Sequence, residues 1–153
     1  MNTGSNLNAL DQLKLIVGER GIRAGLIFLN ARTPHRFTAL YRFDDDTLHN
    51  LEFFDCENPG QETMADIPVL ASYCVFVRDR GERFATEHAS EDDRLGDHPK
   101  RKLLQSYCSV PLRDVEGNMF GTICHFDYDA MSISNDTVEL MEAVAPMLQR
   151  ALG

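Results

Sequence analysis

The sequence is bounded first by what it lacks. No apolar stretch runs uninterrupted by charge for long enough to span a bilayer, so no helical anchor is expected. The start, MNTGSNLNALDQ, has no basic segment followed by an apolar run, so no secretory signal is read and a cytoplasmic location is expected. Cations are scarce: 15 Lys and Arg stand against 24 Asp and Glu, a formal net charge of -9. They form no stripe, and the only dense group, HPKRK at 98–102, lies close to the acidic EDD at 91–93. Neither nucleic acid nor an anionic membrane is therefore expected as a partner. No two cysteines stand as C-x-x-C, and the spacing of Cys56, Cys74, Cys108 and Cys124 fits no zinc module. In a cytosolic chain no structural disulfide is expected, and each cysteine reads first as a small buried hydrophobe. No repeats, linkers or low-complexity tracts are present, so the 153 residues are read as one domain.

What is present is enough for a core, with 43% hydrophobic residues. Ser5 suits the cap of a first helix carrying Leu7, Leu10, Leu13 and Val17, with Gly18 and Gly21 breaking the run. A second helix carries Ile22, Leu26 and Leu29 on one face and stops before Thr33-Pro34. HRFTALYRF then alternates, with Phe37, Ala39, Tyr41 and Phe43 on one side. DDDT supplies a turn and LHNLEFF a second strand. Residues 55–66 read as a loop. Residues 67–81 fit either a short helix followed by a strand or a helix throughout. ERFAT reads as a short strand, 87–99 as a polar loop and KRKLLQ as a helical turn. In the last helix Ser134 and Asp136 both suit the N-cap. Val138, Met141, Ala145, Leu148 and Leu152 form one stripe, and Leu140, Val144, Met147 and Ala151 a second beside it. An arc that wide needs cover on two sides, from a sheet and from the first helices or a second subunit. Pro146 should bend this helix. Helices at both ends and antiparallel strands between them define an α+β domain.

The chemistry-bearing residues gather in SYCSVPLRDVEGNMFGTICHFD, 106–127. With a two-residue turn at Glu116-Gly117, Cys108 faces His125 across the ladder and Cys124 points to the other face. A one-residue shift or bulge near Gly117 would put both cysteines on one face. Neither register brings a fourth metal ligand, so no metal and no cofactor are expected. His88 reads as a solvated loop histidine.

The stretch from RFATEHAS through SVPLRDVEGNMFGTICHFD, with Val110-Pro111-Leu112, Gly117 and Gly121, resembles the second half of a GAF domain. RFTALYRFDDDTL resembles the first hairpin of that family, and the resemblance covers roughly residues 22–152. It implies a central antiparallel sheet with the terminal helices on one face, and middle loops and short helices closing a small-molecule pocket on the other. The terminal helices often form a dimer bundle, so a homodimer is implied, residues 1–21 supplying a helix that can take part. The chain looks like a small freestanding bacterial member, carrying no output segment of its own.

Three functions remain open. The first is a non-catalytic small-molecule sensor that acts in signalling, with a signalling protein as a further partner. Its ligand-binding candidates are Tyr41, Phe53, Tyr73, Cys74, Phe76, Arg94, His98, Cys108 and Cys124. Aromatic rings with a few polar tips are what such sites are made of. Arg94, His98 and Lys100 suit an anionic group at the mouth. The second is a thiol enzyme resembling the free methionine-(R)-sulfoxide reductase, with Cys74 or Cys108 as nucleophile. Residues 82–105 contain no cysteine, however, and Cys124 and Phe126 stand where the reductase carries two acidic residues. The third is an interaction module with a vestigial pocket.

Overall fold

The computed structural model describes residues 3–152, with side chains from Asn8 onward, so the cap at Ser5 and the Leu7 side chain fall outside the described set. Helix α1 (Thr3–Arg20) runs through Gly18 and stops at Gly21, whose φ of 92° an L side chain rarely adopts. Helix α2 (Ile22–Asn30) follows at once and buries Leu26 and Leu29, as the spacing predicts.

Six strands form one antiparallel sheet: β1 (Phe37–Asp44), β2 (Thr47–Asp55), β3 (Ile67–Pro68), β4 (Phe84–Thr86), β5 (Ser106–Arg113) and β6 (Met119–Asp127). Their order across the sheet is β3-β2-β1-β6-β5-β4. The first and last hairpins therefore pair through β1 and β6 at the centre. Period-two alternation divides β1 cleanly. Phe37, Ala39 and Tyr41 enter one core with Phe43 packed against it, and Leu40 enters the other.

The core beneath the helices holds Leu13, Leu26, Leu29, Leu40, Cys108, Val110, Leu112, Ile123, Met141, Val144 and Leu148. Helix α4 (Asn135–Leu152) packs on both β5 and α1. Of its second stripe, Leu140 and Val144 are buried, Met147 is half-buried and Ala151 is exposed. The Ser134 hydroxyl accepts from the Thr137 N–H at 3.2 Å, which makes Ser134 the N-cap and places Asp136 inside the first turn. Pro146 sits on the exposed side and the helix continues past it to Leu152.

The other core lies on the opposite face of the sheet. It is closed by residues 56–66, the 3-10 turn Val69–Ala71, helix α3 (Cys74–Arg80) and the loop 87–105. Residues 67–81 match neither sequence expectation. Pro68 ends a two-residue strand, extended Ser72 separates the 3-10 turn from α3, and Gly81 in the left-handed region, φ 70°, caps α3. Cys56 is exposed in the loop after β2, so the buried reading fails there, whereas Cys74, Cys108 and Cys124 are buried.

Candidate functional site

The register of β5 and β6 decides which sulfur faces which core. Cys108 pairs with His125, and Ser109 with Cys124. Opposed residues share a face, so Cys108 and His125 point to the helices, while Cys124 and Tyr107 point to the loop-covered side. The connection is not a two-residue turn. It spans residues 114–118, is knotted by Asp114, whose Oδ1 accepts from the N–H groups of Glu116 and Asn118 at 2.9 Å each, and turns through Gly117 at φ 86°. An irregularity between Leu112 and Arg113 offsets the longer turn and restores the pairing that a two-residue turn would give. Close to it, Gly121 admits no side chain, since a Cβ there would lie 2.0 Å from the Tyr41 carbonyl oxygen.

A cavity of about 150 Å³ lies on the loop-covered face. Tyr41, Tyr107, Cys124 and Phe126 form its sheet side. Met64, Ile67, Ala71, Ser72 and Tyr73 cover it from one flank, and Lys100, Leu103 and Leu104 from the other. The Tyr73 hydroxyl donates to the Leu104 carbonyl at 2.8 Å and ties the two flanks together. Met64 and Leu103 are themselves exposed, so the cover is one residue thick there. The Tyr41 ring is buried, and desolvation holds its pKa well above the ordinary value.

Cys74, the first residue of α3, lies just behind this lining. Its Sγ accepts from the Tyr107 hydroxyl at 3.1 Å and lies 3.4 Å from Thr122 Oγ1. Its N–H donates to Ser72 Oγ at 3.1 Å. Burial alone would push the Cys74 thiol up. Hydrogen bonds from Cys124, Ser72, Thr122 and Tyr107 outweigh it, and the pKa falls below the ordinary thiol value. Cys124 takes the opposite course: burial, then the hydrogen bond to Cys74 and the charge of Cys74, push its thiol up. The surroundings thus push the two thiols in opposite directions, Cys74 down and Cys124 up.

The other sequence candidates divide. Tyr41, Tyr73 and Cys124 line the cavity; Cys74 touches Tyr107 from behind. Phe53 is fully buried core, and Phe76 stacks on Phe84 at 4.7 Å away from the lining. Cys108 lies on the opposite face of the sheet, 3.8 Å from Met141 Sδ, because its alternation partner in β5 is Tyr107. Arg94 is held by Asp92 and the Ala85 carbonyl beside the open cleft at β4, and does not reach the cavity. His98 has no ring nitrogen free for a ligand. Its Nδ1 accepts from the Lys100 N–H at 3.1 Å, so its Nε2–H donates to the Ser72 carbonyl, also at 3.1 Å. It clamps the loop onto α3 instead of lining the mouth; Lys100 is the cation that lines the cavity. His88 is exposed beside Glu91. Among the described residues no three His, Cys, Asp or Glu side chains converge on a metal site.

Sequence reasoning passed over Tyr107, Thr122 and Asn50. Tyr107 and Thr122 were reachable by alternation, since each occupies the same face as Cys124. Asn50 had no such signal. It pairs with Tyr41 beside the bulge at Leu51, where its Nδ2 donates to the Leu40 and Glu52 carbonyls and its Oδ1 accepts from the Met64 N–H.

A central antiparallel sheet with terminal helices on one face and a loop-closed cavity on the other defines an α+β domain. The chain belongs to the GAF domain family, whose profile matches residues 21–152. Solved structures from several bacteria share the fold. A putative GAF sensor protein from Burkholderia vietnamiensis is 13% identical with a TM-score of 0.76, over 99% of this chain and 95% of that one. The GAF domain of a phosphoenolpyruvate-protein phosphotransferase from Coxiella burnetii matches equally well, at 13% identity and TM-score 0.76, over 99% and 95%. The free methionine-R-sulfoxide reductase of Neisseria meningitidis, solved with its substrate, is 17% identical with a TM-score of 0.74, over 95% and 87%. The sequence matches no curated protein at a significant level. No helix among the described residues is long and apolar enough to cross a membrane.

Proposed function

We propose that this protein is a non-catalytic GAF sensor that binds one small molecule in the cavity between Tyr41, Cys124 and the loops around Met64 and Leu103. The observation that carries the proposal is the cavity itself, which Tyr41, Cys124 and Phe126 of the sheet and Met64, Ile67 and Leu103 of the covering segments line with mainly apolar surface. A mainly apolar cavity with a few polar tips, here Tyr41 and Lys100, is the form that small-ligand sites take. At about 150 Å³ the cavity is smaller than most ligand sites, which run about 300–1,000 Å³. The ligand class is therefore a compact organic molecule with an apolar body, a polar group for Tyr41 and an anionic or carbonyl group for Lys100. Closure of Met64 and Leu103 over it would alter the exposed roof, which is where a signalling partner would read occupancy.

Native mass spectrometry of freshly purified protein, followed by a thermal-shift screen of small organic acids, tests this reading. A bound or stabilising compound whose effect falls in Tyr41→Phe supports it. A screen that moves nothing in either protein favours the interaction module. A terminal-helix homodimer belongs to the same proposal, because Leu15 on α1 and Ile27 on α2 stay exposed. Light scattering at low concentration decides it.

The sulfoxide-reductase reading keeps one favourable observation, the lowered Cys74 pKa. Cys108 lies across the sheet from Cys74 and does not serve it. Turnover of methionine sulfoxide with a dithiol donor, lost in Cys74→Ser, would establish that enzyme in place of the sensor.

A further inference from the structure

The cover of the cavity is held by a pair of hydrogen bonds that depends on protonation. Loop 87–105 supplies Lys100, Leu103 and Leu104 to the cavity, and Ser72 and Tyr73 stand on the opposite flank. His98 bridges the two. Its Nδ1 accepts from the Lys100 N–H and its Nε2–H donates to the Ser72 carbonyl, at 3.1 Å each. Tyr73 meets the ring edge-on at 4.8 Å and Phe76 lies tilted against it at 5.5 Å, so the ring is held in its plane. Only the neutral ring, protonated on Nε2, makes both bonds. An imidazolium keeps the bond to Ser72, but its Nδ1–H meets the Lys100 N–H donor to donor. The Lys100 backbone must then turn away, and with it the cation that lines the cavity. The groups about the ring are known. Lys100 follows on its own loop, and Asp97, Arg101 and Lys102 line the same outer hollow. From the α3 side it is faced by the Tyr73 phenol, which burial keeps uncharged.

We propose that His98 is a proton-operated clasp on the ligand cavity: neutral, it ties the Lys100 segment to Ser72 and keeps that flank closed; protonated, it lets Lys100 go and opens the flank. The proposal rests on the sensor reading for its ligand, while the clasp itself needs none. Burial, together with the charge of Lys100, holds the His98 pKa below its ordinary 6.5 against the pull of the Ser72 carbonyl. Opening lets the ring take up a proton at that ordinary value, which the closed state refuses. The clasp is therefore whole above pH 6.5 and weakens as pH falls, its opening equilibrium rising about tenfold per pH unit below that value. The rest of the loop stays anchored. Arg101 donates to the Ala89 and Gly96 carbonyls, and the Tyr73 hydroxyl to the Leu104 carbonyl. The movement is thus a side gate around Lys100, and the whole cover does not unfold. An anionic ligand held by Lys100 at neutral pH would lose that contact and be released in mild acid.

Hydrogen exchange of the full chain tests the clasp without a ligand. It is read by NMR at the Lys100 amide from about pH 8 to about pH 5 and corrected for the intrinsic rate at each pH. Protection at Lys100 should fall about tenfold per pH unit below 6.5, while the amides of β6 keep theirs. His98→Asn should show no slope, because an asparagine oxygen accepts the N–H two residues on at any pH. His98→Gln can reach Ser72 but not Lys100, and should leave the Lys100 amide unprotected throughout. A wild-type protection without slope, or the same slope in His98→Asn, overturns the clasp. A parallel fall at the β6 amides overturns it too, since that is global unfolding. If the variants fail to fold, the wild-type slope at Lys100 against that of β6 decides. Benzene, which an apolar cavity of about this size admits, reads the gate. Its NMR exchange into the wild-type protein should be about tenfold faster at about pH 5.5 than at about pH 7.5, and equal at both in His98→Asn. Equal entry at both in wild type overturns the gate and leaves the sensor cavity standing. Benzene excluded at every pH removes the cavity of the sensor reading, and the gate with it.

Discussion

The Tyr107 hydroxyl donates to Cys74 Sγ at 3.1 Å, with both side chains buried. The two residues belong to different layers, β5 of the sheet and α3 of its cover. Their bond carries structure and chemistry together. It fixes α3 over the cavity, and it favours the charged form of the sulfur. The same charge, after desolvation, pushes the Tyr107 pKa well above its ordinary value, so the tyrosine stays a donor.

Tyr107→Phe should therefore raise the Cys74 pKa. A hydrogen bond to a charged acceptor contributes about 1.5–3 kcal/mol, which corresponds to roughly one to two pH units. Alkylation rate against pH, read at Cys74 by mass spectrometry, measures it. An unchanged profile would mean that Thr122, Ser72 and Cys124 suffice to hold the charge.

His125 lies on the opposite face in a closed polar network. Asn30 Nδ2 donates to Thr38 Oγ1 at 2.9 Å, so the Thr38 hydroxyl gives its own proton to His125 Nδ1 at 2.7 Å. Burial, with the neighbouring His35 adding to it, lowers the His125 pKa from 6.5 to about 3. His35, stacked on it at 6.0 Å, is lowered by burial as well. The unfolded chain binds protons below pH 6.5 that the folded chain refuses. Stability is therefore whole above that pH and lost as pH falls toward about 3, by up to about 1.4 kcal/mol per pH unit for His125, with His35 adding in the same direction. Urea melts across this range should show that slope, and His125→Gln should flatten it. A wild-type slope no steeper than the variant's would contradict the network.

Much of this arrangement was legible because alternation carries it. FTALYRF divides between the two cores residue by residue, and the Val-Pro-Leu strand and Gly121 identify the family. The cysteine pairing was not legible. It depends on a five-residue connection and a compensating irregularity, each of which moves the register by one position and whose effects cancel. His98 and Arg94 were misplaced for a different reason. A polar residue in a polar loop gives no sign of whether its partner will be a ligand or a backbone carbonyl, and here both found the chain itself.

Gly121→Ala should be among the most damaging small changes in the protein. The added Cβ would fall 2.0 Å from the Tyr41 carbonyl oxygen, which is backbone at the centre of the sheet and cannot swing aside. Overpacking of this kind costs about 1–3 kcal/mol or more. β1 and β6 would have to separate beside Tyr41, so the cavity should distort along with the fold. Thermal denaturation measures the loss; a melting temperature equal to wild type would show that the strands part without cost.

Asn50 links the sheet bulge to the cavity roof, and its replacement should loosen both. Asn50→Ala removes two donors to the Leu40 and Glu52 carbonyls and the acceptor that holds the Met64 N–H at 3.1 Å. Buried groups left unpaired in this way cost about 1–3 kcal/mol. Met64 covers the cavity in front of Cys124, so freeing its backbone should open the route to that sulfur. The variant should thus be less stable, and under native conditions Cys124 should be alkylated faster than in wild type, while Cys108 under the helices keeps its rate. Equal acceleration at both cysteines would indicate global unfolding, and acceleration at neither would separate Met64 from access to the cavity.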